Sequence, residues 1–254
     1  MPILTKRANK IPLGIYVHVP FCRSKCQYCD FYSMATKEDK LIDGYLDAIC
    51  DHIKEAGELA PNYKVDTIYF GGGTPTFFGA DGMAIILTTI RRNFDVDNNA
   101  EITFEANPDS VSDRLLHRLR AEGFNRCSLG IQSDDDEMLK KLGRPHTYGQ
   151  AVTAYHRIRK AGFKNVSVDL IYGLPDQSKV VGLGKIPIFG FDHALRRTVQ
   201  SHERDSRQHF CYSALYDGAH CRTRSLLRTR TLLRTLPLLR TRSVSVGIPS
   251  CRRL

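Results

Sequence analysis

Several features are missing from this sequence, and each absence limits what the protein can be. No apolar run approaches the length of about 18 residues that a membrane-spanning helix needs, so we expect no membrane span. The first residues include Lys6, Arg7 and Lys10 but lack the apolar core of a signal peptide. Tryptophan is absent from all 254 residues, which excludes any motif built on it.

Regular cysteine pairing is also missing, although the chain has eight cysteines. A secreted disulfide framework is therefore not expected, and we predict a reducing compartment, the cytoplasm. Cys50 and Cys127 fall on apolar faces and are expected to be packing residues. Three other cysteines form a compact motif, because Cys22, Cys26 and Cys29 have the spacing C-x3-C-x2-C.

This motif supplies one thiolate fewer than a complete site requires. Structural zinc sites are closed by four ligands, and iron–sulfur clusters are normally held by four thiolates. His18, four residues before Cys22, could complete a Cys3His zinc site. Alternatively, a cluster with one open iron could bind a substrate at the vacant metal, as catalytic metal sites do. The motif alone leaves both interpretations open.

A glycine-rich segment, Gly71-Gly-Gly73-Thr74-Pro75-Thr76, follows an apolar run at 65–70 that is typical of a buried strand. Consecutive glycines permit positive φ and let the backbone approach a ligand closely. The segment is not a Walker loop, because no Gly-Lys-Ser/Thr sequence follows it. By itself it predicts only a turn after a strand.

Together, the cysteine motif and the glycine loop resemble the radical S-adenosylmethionine (radical SAM) superfamily. Further motifs, in order along the chain, resemble the oxygen-independent coproporphyrinogen III oxidase family within it, in the HemW-type heme chaperone branch. The resemblance covers residues 12–178. The motifs are Phe104-Glu-Ala-Asn-Pro-Asp109, Gly130-Ile-Gln132-Ser, Leu142-Gly-Arg144-Pro-His146 and Val168-Asp-Leu-Ile-Tyr-Gly-Leu-Pro175.

The resemblance implies a [4Fe–4S] cluster and S-adenosylmethionine as cofactors, with heme as a further candidate, and it assigns no catalytic residue. Cys22, Cys26 and Cys29 match the ligands of a [4Fe–4S] cluster whose open iron is chelated by S-adenosylmethionine. An electron from the cluster then cleaves the sulfonium and yields a 5′-deoxyadenosyl radical. A ribose prefers carboxylate or amide acceptors and a carboxylate prefers arginine, which suits the implied contacts. The implied S-adenosylmethionine contacts are Tyr16, Tyr28, Gly72, Gly73, Thr74, Glu105, Gln132, Arg144 and Asp169.

Four strand patterns show one apolar and one polar face, and helical patterns lie between them. This alternation predicts an α/β fold with parallel strands and right-handed crossovers. With polar faces toward the lumen, we predict a partial, open (β/α) barrel that holds a polar cofactor. The alternative is a two-layer sheet with one solvated face. The strands are 15–19, 102–105, 127–132 and 166–170, and the helices are 43–58, 111–122 and 148–161.

Glu105, Gln132 and Asp169 fall near the C-terminal ends of three of these strands, where barrel active sites form. This position supports a shared role in cofactor binding. The alternative for Glu105 and Asp169 is a structural salt bridge with Arg126 or Arg144.

Departures from the family pattern favour the heme chaperone branch. The oxidases carry a fourth cysteine soon after the triplet, whereas Asp30 and Phe31 follow Cys29 here. The oxidases also carry a longer N-terminal segment, whereas only about a dozen residues precede the first predicted strand here. The chaperones carry a C-terminal domain with a His-Asn-x-x-Tyr-Trp motif linked to heme, and a chain without tryptophan lacks it.

We therefore expect a heme chaperone-like radical SAM protein of heme or porphyrin metabolism. The alternatives are an enzyme that decarboxylates coproporphyrinogen III and a basic, zinc-binding protein. The expected partners are heme or a porphyrin, a flavodoxin- or ferredoxin-like reductant protein, and a heme-acceptor protein.

The sequence changes character near Lys179. Residues 179–254 hold 15 basic and 4 acidic residues, a net charge of +11, whereas residues 1–178 have a net charge of −1. The sequence Leu-Leu-Arg-Thr recurs with a period of six from Leu226, and this period keeps no helix or strand face apolar. One interpretation is a basic arm that binds nucleic acid or anionic lipid.

We favour a different interpretation of residues 179–254. Residues 1–178 form the radical SAM core barrel, and the Arg-rich tail is an out-of-frame or mis-assembled segment that replaces the rest of the barrel and the C-terminal domain. Such a tail would bind nucleic acid only non-specifically. One further strand is expected near residues 209–213, where the sequence His-Phe-Cys-Tyr-Ser stands.

Limited digestion with trypsin tests this interpretation of the tail. We expect cleavage within residues 220–254 before cleavage within 12–178, because high charge and the lack of an apolar core leave the entropy of ordering uncompensated. Deleting the tail should cost the barrel little stability and should reduce salt-sensitive retention on nucleic acid. Mass spectrometry identifies the fragments, and an intact 220–254 segment in the native digest would show that the tail is folded.

Overall fold

The computed structural model describes residues 10–36, 38–172 and 174, and the backbone of three further strands within 210–246. The strands of the main sheet are β1 (Ile11–Val19), β4 (Tyr63–Gly72), β5 (Val96–Ala106), β6 (Arg126–Gln132), β7 (Asn165–Tyr172), β8 (Phe210–Tyr216), β9 (Cys221–Leu226) and β10 (Ser243–Val246). A separate pair consists of β2 (Phe21–Cys22) and β3 (Met34–Ala35). The helices are α1 (Asp39–Glu58), α2 (Gly79–Asn93), α3 (Asp113–Ala121), α4 (Asp136–Lys141) and α5 (Tyr148–Lys160).

The main sheet has eight strands in the order β10-β1-β4-β5-β6-β7-β8-β9. The pairings from β10 to β7 are parallel, as the alternation of strands and helices predicts. In contrast, β8 pairs antiparallel with β7, and β9 pairs antiparallel with β8. The connection between β8 and β9 is too short for the crossover that parallel strands require, so these two strands form a hairpin.

The tail therefore contributes three strands to the sheet. The strand expected near residues 209–213 corresponds to β8, whereas β9 and β10 were not expected from the sequence. The Leu-Leu-Arg-Thr repeats beyond Leu226 lie outside the described residues. Within the described part of the chain, no helix combines the length and apolar character that crossing a membrane requires.

The apolar strand faces pack against the helices. Four phenylalanine rings form a cluster that connects β4 and β5 with the segments leading into β6 and β7. Phe124 and Phe163 lie two residues before the first residues of β6 and β7, and both are fully buried. The Phe124 ring centroid lies 5.1 Å from that of Phe70 and 5.8 Å from that of Phe104. The Phe104 and Phe163 centroids are 5.3 Å apart. This cluster packs the α3–β6 and α5–β7 connections against β4 and β5.

The run at 65–70 does not alternate strictly between apolar and polar residues, and the structure gives the reason. Val65, Ile68 and Phe70 are buried, a spacing that strict alternation does not produce. In the pairing of β4 with β1, Leu13 faces Val65 and Gly14 faces Thr67, so one extra residue, Asp66, enters β4 at this point. After the shift, Tyr69 lies on the polar side of the sheet.

The three predicted helices are present with shifted ends, and α2 and α4 were not predicted. Only six residues long, α4 is too short to show a helical period, and its start is marked by Asp135, whose carboxylate accepts the Glu137 N–H at 2.9 Å. The N-cap of α3 is Ser112, whose hydroxyl accepts the Leu115 N–H at 3.3 Å. Caps therefore determine these helix starts more than apolar periodicity does.

Replacing Phe104 with alanine should destabilise the protein by about 3–5 kcal/mol, because the change removes a fully buried ring and leaves a cavity. Urea denaturation monitored by circular dichroism measures the loss. Leu59→Ala is the control, because Leu59 is 84% exposed at the end of α1 and its truncation should change stability by at most about 0.5 kcal/mol. Equal effects of the two substitutions would contradict this description of the core.

Candidate functional site

Polar side chains from β5, β6 and β7 meet on one face of the sheet. Arg126, at the start of β6, is 9% exposed and donates hydrogen bonds to Thr103 Oγ1 and Ser167 Oγ, both at 3.2 Å. Ser167 Oγ donates to Ser128 Oγ at 2.9 Å, and Ser128 Oγ donates to Asp169 Oδ2 at 3.1 Å. The hydroxyl groups thus form a directed chain from a guanidinium to a carboxylate, on the face that the alternation predicts to be polar.

Glu105 lies on this face but is not paired with Arg126. The Arg126 guanidinium forms its ion pair with Glu101, at 3.9 Å. Glu105 instead accepts the Tyr69 hydroxyl at 2.8 Å and the Gly72 N–H at 3.2 Å. The alternative of a structural salt bridge between Glu105 and Arg126 is therefore wrong.

The protonation of Glu105 depends on its surroundings. Burial and, after it, the charge of Asp169 raise the pKa of Glu105 to about 7, against the opposing hydrogen bonds from Tyr69 and Gly72. Burial, followed by the charge of Glu105, also raises the pKa of Tyr16 and Tyr69, which stay protonated. Near neutral pH, Glu105 can therefore either accept two hydrogen bonds as a carboxylate or donate one as an acid.

Aromatic rings of β1 and β4 lie beside this carboxylate. The rings of Tyr16 and Tyr69 stack with centroids 6.1 Å apart. The Tyr16 hydroxyl donates to His18 Nδ1 at 3.1 Å, while His18 Nε2 donates to the Tyr32 carbonyl at 2.8 Å. Both ring nitrogens of His18 are engaged, which counts against His18 as the fourth ligand of a zinc site.

The cysteine loop begins at Cys22, the last residue of β2, and is hydrogen-bonded to a motif that lies far away in the sequence. Cys22 is buried, and Cys26 and Cys29 are half-buried. The Cys29 N–H donates to the Cys26 carbonyl at 3.2 Å, which forms a turn. The Gln27 N–H donates to the Leu142 carbonyl at 3.2 Å, so the segment Leu142-Gly-Arg144 borders the loop.

The glycine loop packs directly on the cysteine loop. The Thr74 N–H donates to the Phe21 carbonyl at 2.7 Å. A Cβ atom added at Gly73 would lie 2.6 Å from that carbonyl oxygen and 2.9 Å from Cys22 Sγ, which no side chain tolerates. Gly72 has a φ of +114°, in the region that favours glycine. The glycines are therefore required for the close approach of the two loops.

Two of the cysteine thiols receive hydrogen bonds from the motifs around them. Thr74 Oγ1 donates to Cys22 Sγ at 3.6 Å, and Arg144 Nη1 donates to Cys26 Sγ at 3.4 Å. Arg144 is only 8% exposed. Burial raises the pKa of the Cys22 thiol, and the Thr74 hydroxyl opposes this effect.

Gln132 reaches the site through an irregular strand end. Its φ is +74°, and the pairing of β6 with β7 shifts register between Gly130 and Gln132. A Cβ atom at Gly130 would lie 2.9 Å from Gln132 Nε2, so the Gln132 side chain folds back over Gly130. The Gly130 carbonyl in turn accepts Arg144 Nη2 at 2.8 Å, which places Gln132 next to Arg144.

Comparison with known proteins shows which family has this arrangement. A match to the radical SAM superfamily spans residues 16–180, more than half of the chain. The chain belongs to the radical SAM superfamily. The family implies a [4Fe–4S] cluster and S-adenosylmethionine as cofactors.

The curated relatives that match the radical SAM region are heme chaperones and oxygen-independent coproporphyrinogen III oxidases. The heme chaperone HemW of Lactococcus lactis is 39% identical over 167 residues, which are 66% of this chain and 43% of the chaperone. The heme chaperone HemW of Escherichia coli is 39% identical over 176 residues, 69% of this chain and 46% of the chaperone. The oxygen-independent coproporphyrinogen III oxidase of Salmonella typhimurium is 35% identical over 167 residues, 66% of this chain and 36% of the oxidase. The chain thus matches less than half the length of these relatives.

A solved structure supports the fold. The coproporphyrinogen III oxidase HemN of Escherichia coli, a radical SAM enzyme, aligns with a TM-score of 0.63 and 32% identity. The alignment covers 77% of this chain and 43% of the oxidase. The α/β fold with a parallel sheet is therefore that of a radical SAM protein.

The residues present fit a radical SAM cluster. Three thiols come from one loop, and two of them already receive hydrogen bonds from Thr74 and Arg144. Within the described residues, no three or more His, Cys, Asp or Glu side chains lie close enough together to hold a single metal ion. In a cluster each cysteine binds a different iron, so its ligands lie farther apart than those of one ion.

One predicted contact and two unpredicted residues complete the description. Tyr28, predicted to lie beside the cofactor, packs against Met138, Leu142 and Ile171. Tyr69 was missed because the bulge in β4 hides its face in the sequence pattern. Asn107, which contacts both Thr74 and Arg144, was missed because an asparagine before a proline also occurs in ordinary turns.

The raised pKa of Glu105 predicts how stability changes with pH. The folded state holds an extra proton between the ordinary pKa of 4.5 and the folded pKa of about 7. The contribution of Glu105 protonation to the free energy of unfolding is fully present below pH 4.5, and it is lost as the pH rises through the folded-state pKa of about 7. Urea denaturation between about pH 4 and pH 8 should therefore show Glu105→Gln gaining stability relative to the unmodified protein as pH rises.

Glu137→Gln serves as the matched control, because Glu137 is exposed and its nearest charge is Lys140, 2.6 Å away on the same helix. The stability of this variant should follow that of the unmodified protein across the range. Parallel curves for Glu105→Gln and the unmodified protein would mean that Glu105 titrates normally.

Proposed function

We propose that this chain binds a [4Fe–4S] cluster and S-adenosylmethionine as a radical SAM protein of heme or porphyrin metabolism, of the heme chaperone type. The observation that carries the proposal is the pair of hydrogen bonds from Thr74 and Arg144 to the thiols of Cys22 and Cys26. These bonds join the three-cysteine loop to two motifs that lie far away in the sequence.

The proposed cluster ligands are Cys22, Cys26 and Cys29, which leave one iron without a protein ligand. When bound, the cluster supplies the electron that cleaves the sulfonium of S-adenosylmethionine. The donors Thr74 and Arg144 reduce the negative charge density on two of the thiolates and orient them. Phe21 and Gly73 pack against the buried side of the loop and exclude water there.

The proposed S-adenosylmethionine contacts surround this loop. The loop with Gly72, Gly73 and Thr74 lies against the cysteines, and Arg144 supplies a cation for the carboxylate of the ligand. Tyr16 and Tyr28 border the site. The polar face offers acceptors for hydroxyl and amino groups, namely Glu105, Gln132 and Asp169. Tyr69 holds Glu105 in place for this role.

The heme chaperone type is favoured over the oxidase type by two observations. The heme chaperones of Lactococcus lactis and Escherichia coli are each 39% identical, and the oxidase of Salmonella typhimurium is 35% identical. In this chain Asp30 and Phe31 follow Cys29, whereas the oxidases carry a fourth cysteine soon after the triplet. The likeness to the solved oxidase structure keeps oxidative decarboxylation of coproporphyrinogen III as the second candidate.

We further propose a cytoplasmic protein whose partners are heme or a porphyrin, a flavodoxin- or ferredoxin-like reductant and a heme-acceptor protein. Titration with hemin, followed by its absorption spectrum, tests binding. An assay for carbon dioxide release from coproporphyrinogen III tests the second candidate. Hemin binding without carbon dioxide release supports the chaperone type, and carbon dioxide release supports the oxidase type.

We also propose that residues 1–178 are the radical SAM core and that residues 179–254 are the aberrant segment. The abrupt change in net charge near Lys179 supports this division. Reading the nucleotide sequence around codon 178 in all three frames tests it. A family-like C-terminal sequence in another frame supports the proposal, and its absence from every frame contradicts it.

Replacing Cys26 with alanine should abolish iron binding, because two remaining thiolates cannot hold a cluster that already lacks one protein ligand. Anaerobic reconstitution followed by iron and zinc analysis should give about four irons per chain for the unmodified protein. Cys50→Ala is the control, since Cys50 belongs to α1 and accepts a hydrogen bond from Thr89 of α2 at 3.5 Å. Stoichiometric zinc in place of iron would refute the radical SAM assignment of the site.

Substitution on the polar face should weaken cofactor binding without removing the cluster. Loss of a hydrogen bond to a charged group costs about 1.5–3 kcal/mol, so Gln132→Ala and Asp169→Asn should each bind S-adenosylmethionine roughly ten- to a hundredfold more weakly. Calorimetric titration of the reconstituted protein measures this. Asp66→Asn, on the exposed part of β4, is the control. Unchanged affinity with normal iron content would show that the polar face does not bind the ligand.

A further inference from the structure

Asn107 occupies the junction between the supports of two cysteine thiols. It directly follows β5 and precedes the short 3-10 turn Pro108–Ser110. Its backbone is held from both sides, because its N–H donates to Ser110 Oγ at 3.1 Å and its carbonyl accepts the Ser110 hydroxyl at 2.7 Å. The Ser110 hydroxyl also contacts Thr76 Oγ1, at 2.6 Å. The side-chain amide of Asn107 is therefore carried by a rigid turn.

The two ends of this amide contact two different thiol donors. Its Oδ1 accepts Arg144 Nη2 at 2.7 Å, and its Nδ2 donates to Thr74 Oγ1 at 3.0 Å. An amide is suited to this arrangement because one end only accepts and the other only donates. Since Thr74 Oγ1 accepts the side-chain Nδ2–H of Asn107, the Thr74 hydroxyl proton is free to point at Cys22 Sγ. Arg144 uses its other terminal nitrogen for Cys26 Sγ.

We infer that Asn107 is a positioning residue that couples the hydrogen bonds to Cys22 and Cys26 and thereby raises the reduction potential of the cluster. Four hydrogen bonds form a continuous path from Cys22 through Thr74, Asn107 and Arg144 to Cys26. Asn107 reaches no thiol itself and acts through its two neighbours. The inference rests on the proposed cluster site and adds a residue that controls its electron transfer.

The physical reason is the charge that the cluster gains on reduction. Hydrogen bonds to the cysteine sulfurs stabilise the reduced, more negative state, and such bonds are among the factors that set cluster potentials. Removing the Asn107 amide frees the Thr74 hydroxyl and the Arg144 guanidinium to rotate away from the sulfurs. Weaker hydrogen bonds to Cys22 and to Cys26 both disfavour the reduced cluster, so the reduction potential should fall.

The structure offers a matched control in Asn125. Its Oδ1 accepts the Ile102 N–H at 2.8 Å, and its Nδ2 donates to the Ala100 carbonyl at 2.7 Å. Asn125 therefore also bridges two groups with one amide, but it does so along the earlier part of β5 and away from the cysteines. Asn125→Ala should cost a comparable amount of stability and leave the cluster unaffected.

The test measures the cluster potential of the reconstituted full-length chain by anaerobic spectroelectrochemistry, without S-adenosylmethionine. At a fixed solution potential, Asn107→Ala should lower the ratio of reduced to oxidised cluster about tenfold, equal to a midpoint about 59 mV more negative for one electron. Asn125→Ala should leave the midpoint unchanged. A midpoint in Asn107→Ala equal to that of the unmodified protein would overturn the inference. Equal shifts in the two variants would also overturn it, because they would show a general effect of stability.

A second measurement separates this inference from the proposed function. Amide hydrogen exchange of the chain without iron reports on the loop alone, through the Gln27 and Thr74 N–H groups that pair with Leu142 and Phe21. Exchange at these amides should be about tenfold faster in Asn107→Ala and unchanged in Asn125→Ala. If the protein binds no iron, the proposed function fails, and exchange still tests the positioning role. Unchanged exchange in Asn107→Ala would overturn that role even where a cluster is bound.

Discussion

The close approach of the glycine loop to the cysteine loop is the constraint on which the rest of the site depends. Parallel pairing of β1 and β4 delivers both loops at the same edge of the sheet, because both strands run in the same direction. The approach is so close that a Cβ atom at Gly73 would collide with the Phe21 carbonyl and the Cys22 thiol. Only after the two loops meet can Thr74 contact Cys22 and can Asn107 link Thr74 to Arg144.

The polar face of the sheet adds a second constraint, because buried charge must be compensated. Arg126 is surrounded by hydroxyl groups and Glu101, and Ser128 donates to Asp169. These contacts offset part of the cost of removing charged groups from water. Glu105 is compensated less completely, and its raised pKa is the consequence. A face of this kind suits a polar ligand better than an apolar one.

Much of this arrangement could be predicted from the sequence, and the failures have identifiable causes. Alternation correctly assigned the faces of β5 and β7 because neither strand contains an extra residue at the positions concerned, 102–105 and 166–170. It assigned no face to β4, because the extra residue Asp66 breaks the alternation there. It also could not anticipate that Gln132 reaches the site through a positive φ at a register shift. The helix α4 escaped detection because six residues show no period.

The sequence by itself determined the family, the three cysteines and the polar positions of the strands, because these depend on local spacing and on residue chemistry. Only the tertiary structure decided which groups meet. Arg144 contacts a cysteine 118 positions earlier in the chain, and the Asn107 amide bridges donors from two separate motifs. His18, a plausible metal ligand by spacing, proved to be occupied by Tyr16 and Tyr32. Contacts of this kind arise from the parallel register of the strands, which brings distant loops to one edge and leaves no local trace in the sequence.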